Sequence, residues 1–308
     1  MKRLLIIFFL FAFAKANASH MRAGEITYKV VACSTNTYQI TVTAYTKHYS
    51  SAAANGQCFI DVYVGETNSV GDSIIIIAPR SNGPTDLSFC PTARMGEVIP
   101  GTDVRINIYT FQYSFTGPGN KWISTQLNNR NEGVLNMSSS LNEPMTLKTL
   151  LVINPIFGFM DPLRACNNSP TLLNPPIEFA CKLQCFVHNP GAVDPDGDRL
   201  SYEITSSIGR NGLPPNGYVY PDDYMGVGAN GDMQVNAATG DLTWGCPGAP
   251  PQYAGEFNVA MLIKEWRTIA GTEYLIGQTL RDIQIDVLNI CLNQPPVIAD
   301  IKDTCVLA

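Results

Sequence analysis

Thr37-Tyr-Gln-Ile-Thr-Val-Thr-Ala-Tyr45 is the stretch that decides the fold class. Successive side chains of an extended chain point to opposite faces, so Tyr38, Ile40, Val42 and Ala44 share one face and Gln39, Thr41 and Thr43 the other. That is the signature of a half-buried antiparallel strand. Working outward, Glu25 to Val31, Phe59 to Val64, Ser73 to Ala78, Val104 to Phe115 and Met145 to Ile153 carry the same short β-rich character. Turn-forming clusters such as Ser81-Asn-Gly-Pro84 and Thr116-Gly-Pro-Gly-Asn120 separate them. No segment holds an apolar stripe at helical spacing. The chain is therefore expected to be all-β, built as two antiparallel β-sandwich domains in tandem.

The N-terminus predicts export. Lys2 and Arg3 precede an unbroken apolar run from Leu4 to Ala14, and Ala16-Asn-Ala18 then supplies the small residues a signal peptidase accepts. Spanning a hydrocarbon core takes roughly 20 apolar residues, which this run does not reach. Residues 1–18 are read as a signal peptide, and no membrane span is expected in the mature chain. Localisation is expected to be secreted or at the cell surface. Cleavage after Ala18 removes Lys2, Arg3 and Lys15 and no acid, so the net charge moves from −6 to −9. A chain that acidic, with no Lys/Arg cluster, has no electrostatic footprint for nucleic acid.

Nine cysteines in an exported chain are read first as disulfides. With no C-x-x-C pair and only His20, His48 and His188 to contribute imidazole, a zinc site is not expected. The odd count leaves at least one thiol unpaired within the chain, with Cys305 the candidate, and the connectivity stays open.

Proline-dense segments divide the chain. Cys166-Asn-Asn-Ser-Pro-Thr-Leu-Leu-Asn-Pro-Pro176 and Cys291-Leu-Asn-Gln-Pro-Pro-Val-Ile298 share Cys, then Asn two residues on, then Pro. Such segments favour stiff, extended connections. The expected division is an N-terminal β-sandwich at 19–165, a second at 166–292, and a linker or the start of a further module at 293–308. The arrangement reads as the front of a tandem array.

Between the two joints lies Gly191-Ala-Val-Asp-Pro-Asp-Gly-Asp-Arg-Leu-Ser-Tyr202. Asp194, Asp196 and Asp198 place three mutually repelling carboxylates at alternate positions, with Gly197 permitting a tight turn. Ca²⁺ takes six to eight oxygens and can draw alternate side chains of a turning loop together. Asp side chains can equally bond backbone N–H groups in a plain polar turn. Both readings stand. An EF-hand is excluded, because its sixth and twelfth positions would fall on Arg199 and Thr205.

The run A-x-D-x-D-G-D-x-L-S-Y at 192 to 202 resembles the Ca²⁺-binding segment of a cadherin-like repeat, within the wider immunoglobulin-like class of sandwich. N-N-S-P at 167 to 170 and N-Q-P-P-V-I at 293 to 298 resemble cadherin linkers. Gly240-Asp-Leu-Thr-Trp244, Val259 to Glu265 and Arg281 to Val287 resemble later strands of such repeats. The resemblance implies Asp194 and Asp196 as Ca²⁺ ligands, with Asn168 and Glu265 in support, and Asp198 joins the candidates from the carboxylate cluster itself; the L-D-R-E segment is absent, and the linkers carry fewer acids. A second resemblance covers most of the mature chain. A-S-H-M-R-A-G-E-I-T-Y at 18 to 28, N-P-P-I-E-F-A-C at 174 to 181, F-V-H-N-P-G-A-V-D-P-D-G-D at 186 to 198, E-W-R at 265 to 267 and R-D-I-Q-I at 281 to 285 carry it. They resemble Bacteroidota gliding-motility-associated surface proteins, cargo of the type IX secretion system. This implies a role in adhesion or motility at the cell surface. Asp72-Ser-Ile74 resembles the O-glycosylation acceptor of the same phylum.

Catalytic motifs are missing: no G-x-S-x-G, no H-E-x-x-H and no glycine-rich phosphate loop before a helix. An enzyme is not expected. The expected partner is a surface polysaccharide or protein ligand, with self-association or an array of further modules. A secreted carbohydrate-binding module is the alternative, to be marked by an exposed coplanar aromatic pair. A secreted hydrolase comes third, marked by two carboxylates across a cleft. Trp122, Trp244 and Trp266 all sit in strand patterns and are read as core.

Overall fold

The computed structural model describes residues 21–48, 57–67, 73–83, 96–245 and 250–291. The signal peptide read at 1–18, the segment 293–308 with Cys305, and Asp72 lie outside the described residues.

The protein is all-β. In chain order the strands are β1 (Met21–Ala32), β2 (Thr37–Lys47), β3 (Phe59–Gly65), β4 (Ile74–Pro79), β5 (Glu97–Val98), β6 (Val104–Ser114), β7 (Gly119–Leu127) and β8 (Met145–Ile153). One short helix, α1 (Pro155–Met160), follows. Then come β9 (Thr171–Leu172), β10 (Ile177–Cys181), β11 (Phe186–His188), β12 (Ala192–Val193), β13 (Arg199–Thr205), β14 (Met233–Val235), β15 (Leu242–Trp244), β16 (Gly255–Ile269) and β17 (Thr272–Leu288).

The alternation that opened the reading is realised in β2, where Tyr38, Ile40, Val42 and Ala44 are buried. Burying each of the larger of these side chains stabilises the fold by roughly 1.5–3 kcal/mol. They join Ile26 and Tyr28 of β1, Ile60 and Val62 of β3, Ile123 of β7 and Leu147 of β8 in a first core. The sheet runs in the order β4-β3-β7-β8-β17-β1-β2-β6-β5, and a bridge between Arg80 and Tyr109 brings the end of β4 back to β6. A second core gathers Phe186, Trp244, Phe257, Val259, Met261, Ile263, Ile283, Ile285 and Val287.

β16 and β17 form one long hairpin, turning at Ala270 and Gly271, both with positive φ. Two consecutive left-handed residues match the right-handed twist of the strands they join. One edge of β17 pairs with β16 along nearly its whole length. The other edge is shared in sequence by β8 at Gly277 to Thr279, β1 at Asp282, and β10 at Gln284 to Leu288, the last in parallel. The sheet is therefore continuous across residue 165, where the proline-rich segment leads one to expect a domain boundary. Periodicity announces a strand but not its partner, so this sharing was invisible before folding.

Where β1 meets β17 the interior is polar. Arg130 donates to both carboxylate oxygens of Asp282, at 3.0 and 2.7 Å, and both side chains are fully buried. Asn258 donates its side-chain amide to Asp282 Oδ1 at 3.2 Å, and its backbone N–H and carbonyl are paired with the side-chain amide of Asn136. Arg22 pairs with Asp103 at 2.7 Å and with Asp286.

Disulfides Cys33–Cys166 and Cys181–Cys291 close loops with sequence separations of 133 and 110. Cys58 and Cys185 are disulfide-bonded as well, so every described cysteine is oxidised. Among the described residues no helix is long and apolar enough to cross a membrane.

Candidate functional site

The Asp194–Asp198 loop joins β12 to β13 and folds around its own first carboxylate. Asp194 Oδ1 accepts the backbone N–H of Asp196 at 2.9 Å and of Asp198 at 3.0 Å. Gly197 sits at a φ of 77°, a left-handed conformation that costs glycine nothing. The polar-turn reading thus describes the local geometry. The three carboxylates also converge, offering oxygens within 4.8 Å of one another.

All five residues read from the sequence as metal ligands enter one hydrogen-bonded network. Asn168 donates its backbone N–H and its side-chain amide to Asp196, at 2.6 and 2.9 Å. Its amide oxygen accepts the Val30 N–H of β1 at 2.8 Å. Asp198 is buried against Arg267 of β16, whose Nε lies 3.0 and 3.1 Å from its two oxygens and whose Nη2 lies 2.5 Å from Oδ2. Glu265 is fully buried two residues earlier on the same strand face, with Oε2 accepting from the Asn167 amide at 2.5 Å. Asn167 Oδ1 in turn accepts from Arg267 at 3.0 Å, closing the circuit.

Strand register explains why these groups meet. Phe257, Val259, Met261 and Ile263 of β16 point into the second core, and the same face continues through Glu265 and Arg267. There the packing partner changes from core side chains to the segment 164–169 and the aspartate loop. Arg267 Nη1 donates to the carbonyls of Arg164 and Cys166. Ser169 pairs with the Tyr28 backbone through its N–H and its hydroxyl, and Cys33–Cys166 adds a covalent tie. The segment expected to be an extended, stiff joint is also hydrogen-bonded to β1. Space for Glu265 and the Tyr28 hydroxyl comes from Gly277 of β17, where a β-carbon would intrude on both.

The electrostatics are unbalanced. Four carboxyls (Asp194, Asp196, Asp198, Glu265) face Arg267, with Arg164 3.7 Å from Asp198 and shared with Asp161. Burial pushes the Asp194 carboxyl up, while the N–H groups of Asp198 and Asp196 pull it back. Burial likewise holds the Glu265 carboxyl well above its ordinary range; the Asn167 bond opposes this and the three aspartates add to it. Asp194 Oδ2 and Glu265 Oε1 are buried without a hydrogen-bond partner. An uncompensated buried oxygen is costly, and a cation is one way to satisfy it. Of the candidate Ca²⁺ donors among the aspartates, Asp194 alone keeps an oxygen without a hydrogen-bond partner, while both oxygens of Asp196 accept from Asn168. Asp198 is engaged by Arg267, Asn168 spends its oxygen on β1, and Glu265 lies behind Asn167. Arg267, Asn167 and Tyr28 entered the sequence reading only inside longer motifs and were not read as site residues. The available signal was a glutamate and an arginine in the inward register of an otherwise apolar strand.

Beside this network, the solvent face of β1 and β2 floors an open groove of about 620 Å³. Cross-strand pairs Thr27–Thr41, Lys29–Gln39 and Glu25–Thr43 make the floor. Pro170, Leu172 and Pro195 from the sewn segment and the aspartate loop form a wall. At the floor, Glu25 is buried, with Oε2 3.2 Å from Arg281 Nε. Burial raises its carboxyl above the ordinary range against the pull of Arg281.

The tryptophans divide. Trp244 is core, donating its indole N–H to Asn230 at 2.8 Å. Trp122 and Trp266 are half-buried under Lys148 and Arg199, each cation 5.6 Å from the ring centre. The described aromatic pairs all meet edge to face, among them Tyr28–Tyr38 and Trp244–Phe257. No known protein family matches the chain, and neither a curated protein nor a solved structure proves similar to it.

Proposed function

We propose that the chain is an exported cell-surface protein with a binding or structural role of the adhesion or gliding-motility kind. The observation that carries this reading is the oxidation of every described cysteine, with two crosslinks spanning more than a hundred residues each. Structural disulfides persist in oxidising compartments and are rare in the cytoplasm. The two main apolar clusters support the further reading of two immunoglobulin- or cadherin-like sandwiches, joined through the shared strand β17. The motif resemblances supply the adhesive or motility role. The test is fractionation of cells that make the protein, with non-reducing peptide mapping. The reading predicts a mature N-terminus at Asn17 or Ser19 in the surface or secreted fraction, and a Cys33–Cys166 linked peptide. An uncleaved, reduced chain in the cytoplasm overturns it.

We also propose Ca²⁺ as the ligand of the aspartate loop, held by Asp194 and Asp196. The unpartnered Asp194 Oδ2 and the excess of carboxylates over guanidinium groups support it. Ca²⁺ would neutralise that excess and stiffen the joint between β1, the segment 164–169 and β16. The expected outcome is a higher melting temperature with Ca²⁺ than with chelator, lost in Asp194→Ala. Equal melting with and without chelator excludes the metal.

A further inference from the structure

We infer that the opening between β4 and β6 takes up an extended, uncharged peptide segment of a partner protein as an added strand. This gives the binding role proposed above a partner class, and it rests on that reading only for where the partner is met.

The two strands meet at one end and part from there. Arg80, just past β4, forms a bridge with Tyr109 of β6, and Ser81 donates its N–H to the Ile108 carbonyl at 2.7 Å. The N–H of Arg80 itself goes the other way, to the Cys58 carbonyl before β3. Successive residues of a strand turn their backbone groups to opposite edges. The even residues of β4 therefore bond β3, and Ile75 and Ile77 turn theirs to the opening. β6 follows the same alternation from its side. The Asn82 amide donates to the Ile106 carbonyl at 2.9 Å, and its oxygen accepts the Ile108 N–H at 2.8 Å. Thr110 and Gln112 come next on that edge. Beyond the bridge, neither row has a strand partner among the described residues: the sheet order ends at β4, and β5 reaches only Arg105 and Ile106.

The side chains agree with the backbone. Ile76, Phe111 and Tyr113 pack against the first core but are only partly buried, and Ile75 and Ile77 are 57% and 66% exposed on the outer face. Free sheet edges are commonly guarded by charged side chains, proline or a covering loop. From Ile74 to Ala78 there is neither charge nor proline.

Two facing rows of N–H and C=O groups are satisfied together only by a main chain with both of its own edges free, which is what strand addition by an extended peptide supplies. An edge strand of a second folded copy has one edge engaged already, as β4 has with β3. In an added strand, alternate side chains fall on Ile76, Phe111 and Tyr113, so the segment is apolar at every second position. Neither Ile74 to Ala78 nor Thr110 to Ser114 offers a counter-charge, so charged residues in the segment gain no partner there.

The experiment is titration of the purified, oxidised chain into a fluorescein-labelled heptapeptide of alternating Thr and Val, and into the same peptide N-methylated along one edge. The plain peptide is expected to bind, at least tenfold more tightly than the methylated one. Ile77→Pro removes an N–H that faces the opening and no bond to β3, and edge strands tolerate proline. It should weaken peptide binding at least tenfold with the melting temperature unchanged. Should Ile77→Pro not fold, Gln112→Pro on the opposite row carries the same expectation. No binding of the plain peptide overturns the inference, as does equal binding of the methylated one or binding that survives both proline variants. Sedimentation showing a dimer of the chain that Ile77→Pro dissolves would hand the edge to a second copy, and also overturns it. Because the protein is purified, these failures are distinct from failure of the surface-location reading, which fractionation reports.

Discussion

Two buried arginines on this sheet are balanced in opposite ways. Arg130 meets one carboxylate, Asp282, in a two-pronged pair with both side chains fully buried and Asn258 completing the bonding. Arg267 meets Asp198 with similar geometry, yet Asp194, Asp196 and Glu265 crowd the same region. The first is a one-to-one unit in which the two charges cancel locally, although Arg130 Nε and Asn258 Oδ1 are buried without a hydrogen-bond partner. The second gathers four carboxyls against Arg267 and a more distant Arg164, with burial pushing two of them, Asp194 and Glu265, toward the protonated form, and it sits beside a groove open to solvent. Desolvation makes an excess of this kind unfavourable unless something offsets it. The difference separates a pair that holds the fold from a cluster able to answer to a ligand.

Breaking the one-to-one unit should cost most. Arg130→Met leaves Asp282 buried and unpaired, and a loss of about 3–5 kcal/mol is expected, measured by urea denaturation. The double variant Arg130→Met/Asp282→Leu should recover most of it, because no orphan charge remains. Removing the covalent tie with Cys33→Ser/Cys166→Ser should cost about 2–5 kcal/mol, read by the same transition.

Arg267→Met sharpens the comparison. It should destabilise the protein, but saturating Ca²⁺ should restore part of the loss, because a cation can re-enter a cluster with spare carboxylates. For the unmodified chain, Ca²⁺ at a hundred times its dissociation constant adds about 2.7 kcal/mol, or a few degrees of melting temperature. Ca²⁺ should do nothing for Arg130→Met. Equal rescue of both variants, or of neither, would remove the distinction.

The smallest effect belongs to a third arginine. Glu25 faces Arg281 of β17 and the Tyr45 hydroxyl of β2, and burial raises its carboxyl despite the guanidinium. A raised folded-state pKa means the folded protein holds the proton more tightly than the unfolded chain. The resulting stability is fully present below the unfolded carboxylate range and is lost as pH rises through the folded value. Glu25→Gln should therefore flatten the fall in stability as pH rises above the ordinary carboxylate range, followed as denaturation midpoint against pH. An unchanged slope would show that other carboxyls set it.

How much of this was readable beforehand differs by element. β2 was legible, because a strand with one wet face writes its burial directly into alternation. β17 was legible only in part: Arg281 to Val287 reads as a strand, but nothing in it announces that β8, β1 and β10 share its second edge. The aspartate loop announced its turn and its charge through spacing alone. Arg267, its counterion, lies 69 residues from Asp198 in sequence, and no local pattern can pair groups so far apart. The segment 166–176 read as a spacer from its prolines, whereas its Asn167, Asn168 and Ser169 bind β1.

By itself, then, the sequence determined the all-β class, the oxidised-cysteine chemistry and the place of the acidic turn. Each depends on near neighbours: side-chain alternation, residue type, and turn propensity over a few positions. The tertiary structure decided which edges pair, which cysteines meet, and that Glu265 and Arg267 face the loop and not the core. Those are long-range choices, settled when burial of two apolar clusters on a common strand pair forces the remaining polar groups to find partners or water.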